Sequence, residues 1–341
     1  MYNIHDLLKQ SQNAEPFSKA QLVWMLSLPL DSPETYLLMA EAKRISKELT
    51  GNKAEVHGQF ALNLAPCGEN CKYCSFAAIN QVFTKATKLS PEEAVESALY
   101  LEAVGASAVY MMATANYLFG ELLEMAQEVR RHIKPETLLI ANVGDRTQKE
   151  ANEMRAAGFD GVYHAMRLRE GVDTEIPPHK RMESFAAFRQ AGLSIGTCVE
   201  PVGPEHRNDE IADMILLTAS LEPAYSGAAR RISIPGTEMA EKYGMISEIR
   251  QAQCVAVTRL GMPRSVKGNC THEPCVIGAA AGANLFWAEI GANPRDIKEK
   301  TEDGRGFTVQ KCRALFEEAD CGILDGQSEF YKTNLACIHQ D

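Results

Sequence analysis

The sequence predicts an α/β fold, a (βα)-barrel of the TIM type, complete or partial, with a helical N-terminal extension and a C-terminal tail. From Val56 onward, apolar stretches of strand length alternate with longer amphipathic ones, and the units recur about every 30 residues. Several helices end in Ala-Gly or Val-Gly before the next strand, as at Gly105, Gly158 and Gly192. Glycine fits the left-handed position that ends a helix and lets the chain turn into a parallel strand. A doubly wound open sheet would show the same pattern, so closure of the sheet is left open.

The extension covers residues 1–50, where Asp31-Ser-Pro-Glu34 has the form of a helix start and apolar residues follow at helical spacing. Strands are then predicted at 56–64, 108–112, 138–143, 161–164, 194–200, 230–234, 264–267 and 284–286. Helices are predicted between them at 91–104, 120–132, 147–157, 180–191, 209–219 and 246–260. Ser90 and Glu93 form a capping box at the first of these helices. Residues 51–300 are therefore expected to make one barrel domain, and 301–341 a C-terminal segment.

Composition excludes several classes of protein. Hydrophobic residues are 45% of the 341 and charged residues 23%, which is typical of globular domains. No apolar run approaches the roughly 18 residues of a membrane-spanning helix. The 35 basic and 45 acidic residues give a net charge of −10 without a basic cluster, so we expect neither a membrane nor a nucleic acid as partner. The start of the chain lacks signal-peptide features, which predicts a cytoplasmic protein whose ten cysteines are reduced.

Three cysteines closely follow the first predicted strand. Cys67, Cys71 and Cys74 are spaced four and then three apart, on a loop at the end of the barrel where active sites form. Thiolates at this spacing can converge on one centre, and soft sulfur ligands select zinc or iron–sulfur clusters. A structural zinc normally takes four protein ligands, so a site with three protein ligands leaves one coordination position open for a substrate or cofactor. The alternatives are a zinc loop completed by His57 or a distant cysteine, and three unrelated buried thiols.

The run Cys67-x3-Cys71-x2-Cys74, with Tyr73 before the last cysteine, resembles the signature of radical S-adenosylmethionine (SAM) enzymes. The resemblance implies a four-iron four-sulfur (4Fe-4S) cluster on the three cysteines, with the amine and carboxylate of SAM on its fourth iron. An electron passed to the sulfonium then releases a 5′-deoxyadenosyl radical, which abstracts hydrogen from an unactivated carbon. The protein holds that carbon close and excludes water. An electron donor such as flavodoxin or ferredoxin is implied as a partner.

Within that family, three further features resemble the biotin synthase group, over residues 50–300. They are Asn63-Leu, the run from Cys71 to Cys74, and the later Ala279-Ala-Ala-Gly-Ala-Asn284. The family pattern implies cofactor-binding residues near the ends of the barrel strands: Tyr73, Ala113, Thr114, Arg167, Arg169, Glu170 and Arg231.

The fourth-strand residues depart from the biotin synthase pattern. Arg167, Arg169 and Glu170 stand where biotin synthases carry an Asn- and Asp-containing segment that meets the cofactor ribose and dethiobiotin. An arginine here can form two hydrogen bonds to the cofactor carboxylate, and Glu170 can accept hydrogen bonds from the ribose hydroxyls. A salt-bridged surface loop is the alternative for each. Further along, the run from Glu200 to His206 is either a polar substrate contact or a rigid turn.

A second group of cysteines lies late in the chain. Biotin synthases hold an auxiliary two-iron cluster inside the barrel, on cysteines from three internal strands and an arginine, and this sequence lacks that set. Instead Cys270 and Cys275 follow the seventh predicted strand, and Cys312 and Cys321 lie in the C-terminal segment. We expect a second iron–sulfur cluster on these thiolates, because a Cys-x4-Cys loop and a Cys-x8-Cys segment have workable reach. The alternatives are a structural zinc that includes His272, and buried free thiols.

A second cluster would decide the chemistry, because a carbon radical beside a bridging sulfide is quenched by forming a C–S bond. The prediction is therefore a sulfurtransferase of cofactor biosynthesis, similar to the two-protein type of lipoyl synthase that acts on an octanoyl chain carried on a lysine. The alternatives are a biotin synthase acting on dethiobiotin with an atypical auxiliary cluster, a rearrangement or maturase enzyme without sulfur donation, and a metal-binding module without radical chemistry. We expect a small-molecule or lysine-attached acyl substrate, with a partner radical SAM protein or a carrier protein.

Overall fold

The computed structural model describes residues 2–64, 66–291 and 306–338. Three helices come first, α1 (Ile4–Gln12), α2 (Lys19–Leu26) and α3 (Pro33–Thr50), which confirms the predicted helical extension. The α3 helix begins at Pro33 because Ser32 caps it, accepting a hydrogen bond from the Thr35 backbone N–H. It ends at Gly51, whose left-handed conformation turns the chain into the first strand.

Parallel strands form the centre of the molecule. In chain order they are β1 (Lys53–Ala61), β2 (Val109–Met112), β3 (Leu139–Asn142), β4 (Gly161–Tyr163), β5 (Ser194–Gly196), β6 (Val199–Val202), β7 (Tyr225–Arg230), β8 (Gly268–Thr271) and β9 (Leu285–Ile290). Eight of them, all except β6, pair in chain order, and β9 pairs back onto β1. The sheet is thus a closed eight-stranded parallel barrel, which confirms the barrel prediction over the open sheet.

Helices cover the outside of the barrel. They are α4 (Pro91–Ala103), α5 (Phe119–His132), α6 (Gln148–Ala156), α7 (Pro178–Gln190), α8 (Asn208–Ser220), α9 (Glu238–Tyr243), α10 (Glu248–Gly261) and α11 (Val276–Ala280). The predicted capping box at Ser90 and Glu93 opens α4. None of the helices in the described ranges combines the length and the apolar character that crossing a membrane requires.

Two strand predictions were wrong in position. The stretch 230–234 lies after β7, and 264–267 lies before β8. The β7 segment Tyr225–Arg230 is hard to recognise because it is rich in small residues. Gly227 explains one of them: a Cβ built there would lie 2.0 Å from the carbonyl oxygen of Cys270, so only glycine permits this approach of β7 to β8. The single strand predicted at 194–200 is divided into β5 and β6.

The C-terminal segment is structured. It forms α12 (Val309–Glu318), β10 (Gly322–Ile323), which pairs with β1, and α13 (Glu329–Ile338). Tyr331 on α13 is fully buried and enters the amino end of the barrel, where its hydroxyl accepts a hydrogen bond from Tyr110 (2.9 Å). The proposed domain boundary at residue 300 lies outside the described residues.

The apolar core has two layers. The larger lies between the barrel and its helices, and the smaller fills the barrel interior. The interior layer contains an unusual share of aromatic and sulfur side chains: Tyr110, Tyr163, Cys198, Tyr225, Cys270, Trp287 and Tyr331. Side chains that can carry chemistry are therefore packed directly below the carboxyl ends of the strands.

Candidate active site

The carboxyl ends of the barrel strands surround a cavity of about 300 Å³. Residues after β1, β2, β3, β4, β7 and β8 line it, together with residues of β6 and β9. This is the end of a parallel barrel at which active sites form. Its wall combines thiols, carboxylates, arginines and apolar side chains, so it can hold charged groups and an apolar chain side by side.

The loop after β1 carries Cys67, Cys71 and Cys74, all partly exposed and all at the cavity wall. A backbone hydrogen bond from the Cys74 N–H to the Cys71 carbonyl (3.0 Å) forms the turn between two of them. The Asn80 side-chain amide donates to the carbonyls of Cys71 (3.1 Å) and Cys74 (2.7 Å). The fold thus brings the three thiols to one wall of the cavity and fixes the backbone that carries them.

Burial favours the neutral form of the thiols on this loop unless a cation is bound to them. Burial raises the pKa of the Cys71 thiol to about 12, with a further contribution from Cys74, and burial raises the pKa of Cys74 to about 11. A metal ion reverses this balance, because coordinated thiols are held as thiolates. The buried Tyr73 hydroxyl between them has no hydrogen-bond partner among the described residues. Three soft sulfurs on one loop, beside a polar atom left unpaired, fit an iron–sulfur cluster that takes three protein ligands.

The segment after β2 supports this loop from below. The Asn63 amide donates to the Thr114 hydroxyl (2.7 Å), and the Thr114 backbone N–H donates to the Asn63 side-chain oxygen (3.0 Å). Ala113 and Thr114 line the cavity, as the sequence predicts, and Ala113 is tied to β3 through the Asn142 carbonyl (3.0 Å). The segment that precedes the cysteine loop and the predicted cofactor segment are therefore one hydrogen-bonded unit.

Glu200 on β6 is the centre of a charged network at the cavity wall. It pairs with Arg167, accepts a hydrogen bond from the Tyr163 hydroxyl, and lies 3.2 Å from Nδ1 of His272. Glu200 is buried, and all four residues line the cavity. Arg167 thus reaches the cavity as predicted, but as one half of an ion pair that links β4 to β6 and β8.

Arg169 and Glu170 lie outside the cavity lining, so the structure does not place them where the other predicted cofactor residues are. Glu170 is buried and accepts hydrogen bonds from Arg181 (3.0 Å) and Thr174 (2.6 Å), so its oxygens brace the loop after β4. Arg169 pairs with Asp173 (3.1 Å) and faces a separate groove of about 690 Å³ beside α8. The alternative of a salt-bridged loop describes both residues better, because the groups that hold them come from their own loop or the next helix.

Arg231 lines the cavity from the loop after β7, where the sequence predicts a cofactor contact. Its Nε and Nη2 atoms donate to the two oxygens of Glu205 (2.8 and 2.9 Å), and both side chains are almost fully buried. Burial opposes ionisation of Glu205, but the hydrogen bond and charge of Arg231 prevail and lower its pKa. Nη1 of Arg231 has no hydrogen-bond partner in the described structure, so one donor is left for a bound anionic group.

The four cysteines predicted to hold a second cluster are not brought together. Cys270 is inside the barrel, while Cys275 lies at the start of α11. Cys312 and Cys321 belong to the outer core layer, where Cys312 contacts the Trp287 carbonyl (3.4 Å). The prediction failed because β8 directs Cys270 into the barrel, whereas α12 packs on the outside of the barrel wall.

Cys270 instead meets Cys198, which lies between β5 and β6. The two sulfurs are 3.7 Å apart and fully buried. Together with His272 they offer two sulfurs and a ring nitrogen within 4.8 Å of one another, a group that can hold a metal ion. His272 also lines the cavity, so this inner group lies directly behind the cavity wall. It joins segments that are more than 70 residues apart, which sequence spacing could not reveal.

His57 is not close enough to the cysteine loop to act as a fourth ligand. Its Nδ1 atom is 2.8 Å from the Tyr110 hydroxyl and its Nε2 atom 2.9 Å from Glu55, in the lower half of the barrel. Both ring nitrogens are therefore satisfied by core partners. The alternative in which His57 completes a zinc loop is wrong.

A further polar group at the cavity was missed from sequence. Asp145, after β3, lies 3.2 Å from His164 and 3.3 Å from Arg181. Burial opposes ionisation of Asp145, but these two partners lower its pKa to about 2, so it is a carboxylate at neutral pH. Asp145 follows β3, whereas His164 and Arg181 follow β4, so the three residues come from two neighbouring βα units and no spacing in the sequence joins them.

Comparison with known proteins agrees with this geometry. Residues 66–218, which begin at the cysteine loop, match the model of the radical SAM superfamily. The chain is 27% identical over 301 residues to the biotin synthase of Nitrobacter hamburgensis, covering 83% of this chain and 85% of that protein. It is also 27% identical over 327 residues to the biotin synthase of Delftia acidovorans, covering 89% and 90%.

Solved structures show the same fold at lower identity. A methylornithine synthase superposes with a TM-score of 0.78 at 14% identity, covering 93% of this chain and 97% of that one. The FeFe-hydrogenase maturase of Carboxydothermus hydrogenoformans gives 0.78 at 16% identity, covering 97% and 81%. With the thiol loop at the mouth of a closed barrel, these likenesses agree: residues 66–218 match the radical SAM superfamily, and the chain is distantly related to biotin synthases.

Proposed function

We propose that this enzyme inserts sulfur at an unactivated carbon, using a second metal centre held by Cys198, Cys270 and His272. The observation that carries the proposal is the position of this inner group. It lies behind the wall of the same cavity that the cysteine loop opens onto, and His272 belongs to both. A substrate in the cavity would then have the radical source on one side and a sulfur-ligated centre on the other.

The cysteine loop would hold the first cofactor. Cys67, Cys71 and Cys74 fit three irons of a 4Fe-4S cluster and leave the fourth for SAM, and the bound pair supplies an electron and a radical that abstracts a hydrogen atom. The free Nη1 donor of Arg231 is suited to a carboxylate. The hydrogen-bonded unit of Asn63 and Thr114 positions the backbone at the cavity edge.

The inner group has the properties of a metal site with an open position. Two thiols and an imidazole are soft or borderline ligands suited to an iron–sulfur cluster, which would supply both the sulfide that is transferred and an iron that accepts the electron, and three protein ligands leave a coordination position free. Glu200, 3.2 Å from Nδ1 of His272, would fix the ring so that Nε2 is the ligand atom. The surrounding Tyr163 and Trp287 are buried and exclude water, which protects a carbon radical from side reactions.

We propose an octanoyl chain carried on a lysine as the first substrate to test. A ureido ring such as that of dethiobiotin is best recognised by neutral donors and acceptors. The wall at the end of β4 here is an ion pair, Arg167 with Glu200. Apolar residues from the loops after β4 and β7, Ile176, Ile232 and Ile234, also line the cavity and suit an alkyl chain. A partner radical SAM protein or a carrier protein would present the lysine at the cavity mouth.

The test is anaerobic incubation of the reconstituted, reduced enzyme with SAM and either an octanoyl-lysine peptide or dethiobiotin. We expect 5′-deoxyadenosine and a thiolated octanoyl peptide, both detected by mass. Replacing Cys198 and Cys270 together by alanine should abolish the thiolated product, remove the iron beyond the about four atoms of the first cluster, and preserve 5′-deoxyadenosine formation. Cys254→Ala, which removes a buried thiol on α10, is the matched control.

Two results would reject the proposal. An enzyme with four irons, unchanged by the double substitution, that makes 5′-deoxyadenosine but thiolates neither substrate would favour a rearrangement or maturase reaction. An enzyme that thiolates dethiobiotin alone would retain sulfur insertion but assign the chain to biotin formation.

A further inference from the structure

Lys43 and Cys321 approach each other more closely than an ordinary sulfur contact permits. Lys43 lies on α3, and Cys321 lies between α12 and β10. The Lys43 Nζ atom is 2.6 Å from the Cys321 Sγ atom. Other sulfur contacts in the described residues run from 3.4 Å at Cys312 to 3.9 Å at Cys71. Unbonded nitrogen and sulfur repel at 2.6 Å, whereas this separation suits two atoms joined through one oxygen.

The surroundings of Lys43 and Cys321 favour a covalent link between them and not a salt bridge from Lys43 to a carboxylate. Within the ranges that the structure describes, no carboxylate lies at ion-pair distance from Lys43, and its other contact is the Ala319 carbonyl oxygen at 3.4 Å. The lysine is therefore held against the sulfur and not drawn to an acid. Cys321 is 8% exposed and Lys43 is partly exposed, so a small oxidant and water reach the sulfur from the surface.

We propose that Lys43 and Cys321 form a reversible nitrogen–oxygen–sulfur bridge when the protein meets dioxygen. One thiol, one neutral amine and one dioxygen give the bridge and one water. The S–H bond and one N–H bond break, S–O and O–N bonds form, and the second oxygen atom leaves with both hydrogens. Sulfur and nitrogen each lose two electrons, and dioxygen gains four. Oxidation of a cysteine followed by capture by nitrogen has a parallel in the condensation of sulfenic acids with amides.

The bridge is reversible by a dithiol. Two molecules of dithiothreitol return the thiol and the amine, release the bridging oxygen as water, and become cyclic disulfides. The link would join the N-terminal extension to the C-terminal segment on the outside of the barrel, because α3 and α12 both pack there. It touches neither the cysteine loop nor the inner thiol pair, so this proposal does not depend on the reaction that the enzyme catalyses.

The test uses the full-length protein, prepared either in air or anaerobically with dithiothreitol. Each sample is denatured, alkylated, digested and measured by mass spectrometry. In air we expect a linked pair of peptides containing Lys43 and Cys321, about 14 Da heavier than their sum, which dithiothreitol separates. Lys43→Arg and Cys321→Ser should lack the pair. Lys47→Arg, a change one turn further along α3, should retain it and serves as the matched control.

Thermal unfolding gives a second measurement. For the wild type and Lys47→Arg, the midpoint should be higher for the air-prepared sample than for the same sample after dithiothreitol, because a link between residues 43 and 321 constrains the unfolded chain. Lys43→Arg should show no such difference. The proposal is overturned if Cys321 remains fully alkylated after exposure to air. It is also overturned if Cys321 becomes oxidised without Lys43, or if the linked pair is about 2 Da lighter than the sum, as in a direct S–N bond. The wild-type masses decide this even if a variant fails to fold.

Discussion

The two sets of cysteines at the cavity, on the loop and inside the barrel, are built in opposite ways. Cys67, Cys71 and Cys74 lie on one loop, are partly exposed and share a short sequence pattern. Cys198 and Cys270 are fully buried, come from the β5–β6 segment and from β8, and meet only because the barrel closes. A site on one loop can be recognised from spacing and can be reached by a partner. A site inside the barrel depends on strand order and is shielded from solvent, which suits a centre that must meet a radical without water.

The largest effect should come from removing a ligand on the loop. Cys71→Ala should lose the first cluster and reduce 5′-deoxyadenosine formation by more than the about 10–100-fold typical of changes beside a metal ligand. Iron content, visible absorption and product formation measure it, with Cys254→Ala as the control. Retention of full activity would show that the loop and the inner group do not divide the work as described.

Glu200→Gln tests the inner group without removing a ligand. The substitution removes the charge that pairs with Arg167 and faces His272, so we expect about 10–100-fold weaker metal retention at the inner centre. The first cluster and 5′-deoxyadenosine formation should persist. Titration with a chelator, followed by metal analysis, compares it with Glu241→Gln, an exposed glutamate on α9. Equal metal loss from both centres would contradict the separation.

Asn80→Ala is the corresponding change beside the loop. It removes the amide that donates to the carbonyls of Cys71 and Cys74, and we expect iron retention by the loop to fall by up to about 10-fold. The inner centre should be unaffected. Loss of visible absorption over time under chelator measures the effect, and the exposed Asn152→Ala controls for amide loss in general.

The last prediction concerns the stability of the protein and not its activity, at the buried pair of Arg231 and Glu205. Glu205→Gln should destabilise the protein by about 2 kcal/mol at pH 7, because Arg231 loses a charged partner. The folded-state pKa of Glu205 is lowered, so the stability it provides is present above its unfolded pKa of about 4.3 and is lost as pH falls through the folded value. Urea unfolding of both proteins should therefore differ at pH 7 and converge towards pH 3.5. If the two proteins differ equally in their free energy of unfolding at both pH values, the pKa of Glu205 is the same in the folded and unfolded states.

Sequence alone could predict the parts of this molecule that are local. The capping box at Ser90, the helical extension and the loop thiols depend on neighbours in the chain, and the structure has each of them where the pattern indicates. The β7 strand was misplaced because its small residues serve close packing against β8, as at Gly227, and give little strand signal.

The inner group could not be predicted for a different reason. Cys198 lies between β5 and β6 and Cys270 lies on β8, and only the closed barrel makes them neighbours. Arg169 and Glu170, which were predicted to bind the cofactor, pair instead with groups nearby in the chain, Asp173, Thr174 and Arg181. Charge and position near a strand end do not show which partner a side chain selects.

Tyr331 and Tyr110 close the amino end of the barrel, and this affects the order in which reactants bind and products leave. In the part of the chain that the structure describes, the cavity opens at the carboxyl end of the barrel, so reactants enter and products leave through the same opening. Under the proposed function, a tethered acyl chain that reaches the inner thiols would pass the bound cofactor on its way in and would block the exit of the spent nucleoside until it withdraws. The rate of product release, and with it the turnover rate, would then depend on how fast the carrier dissociates.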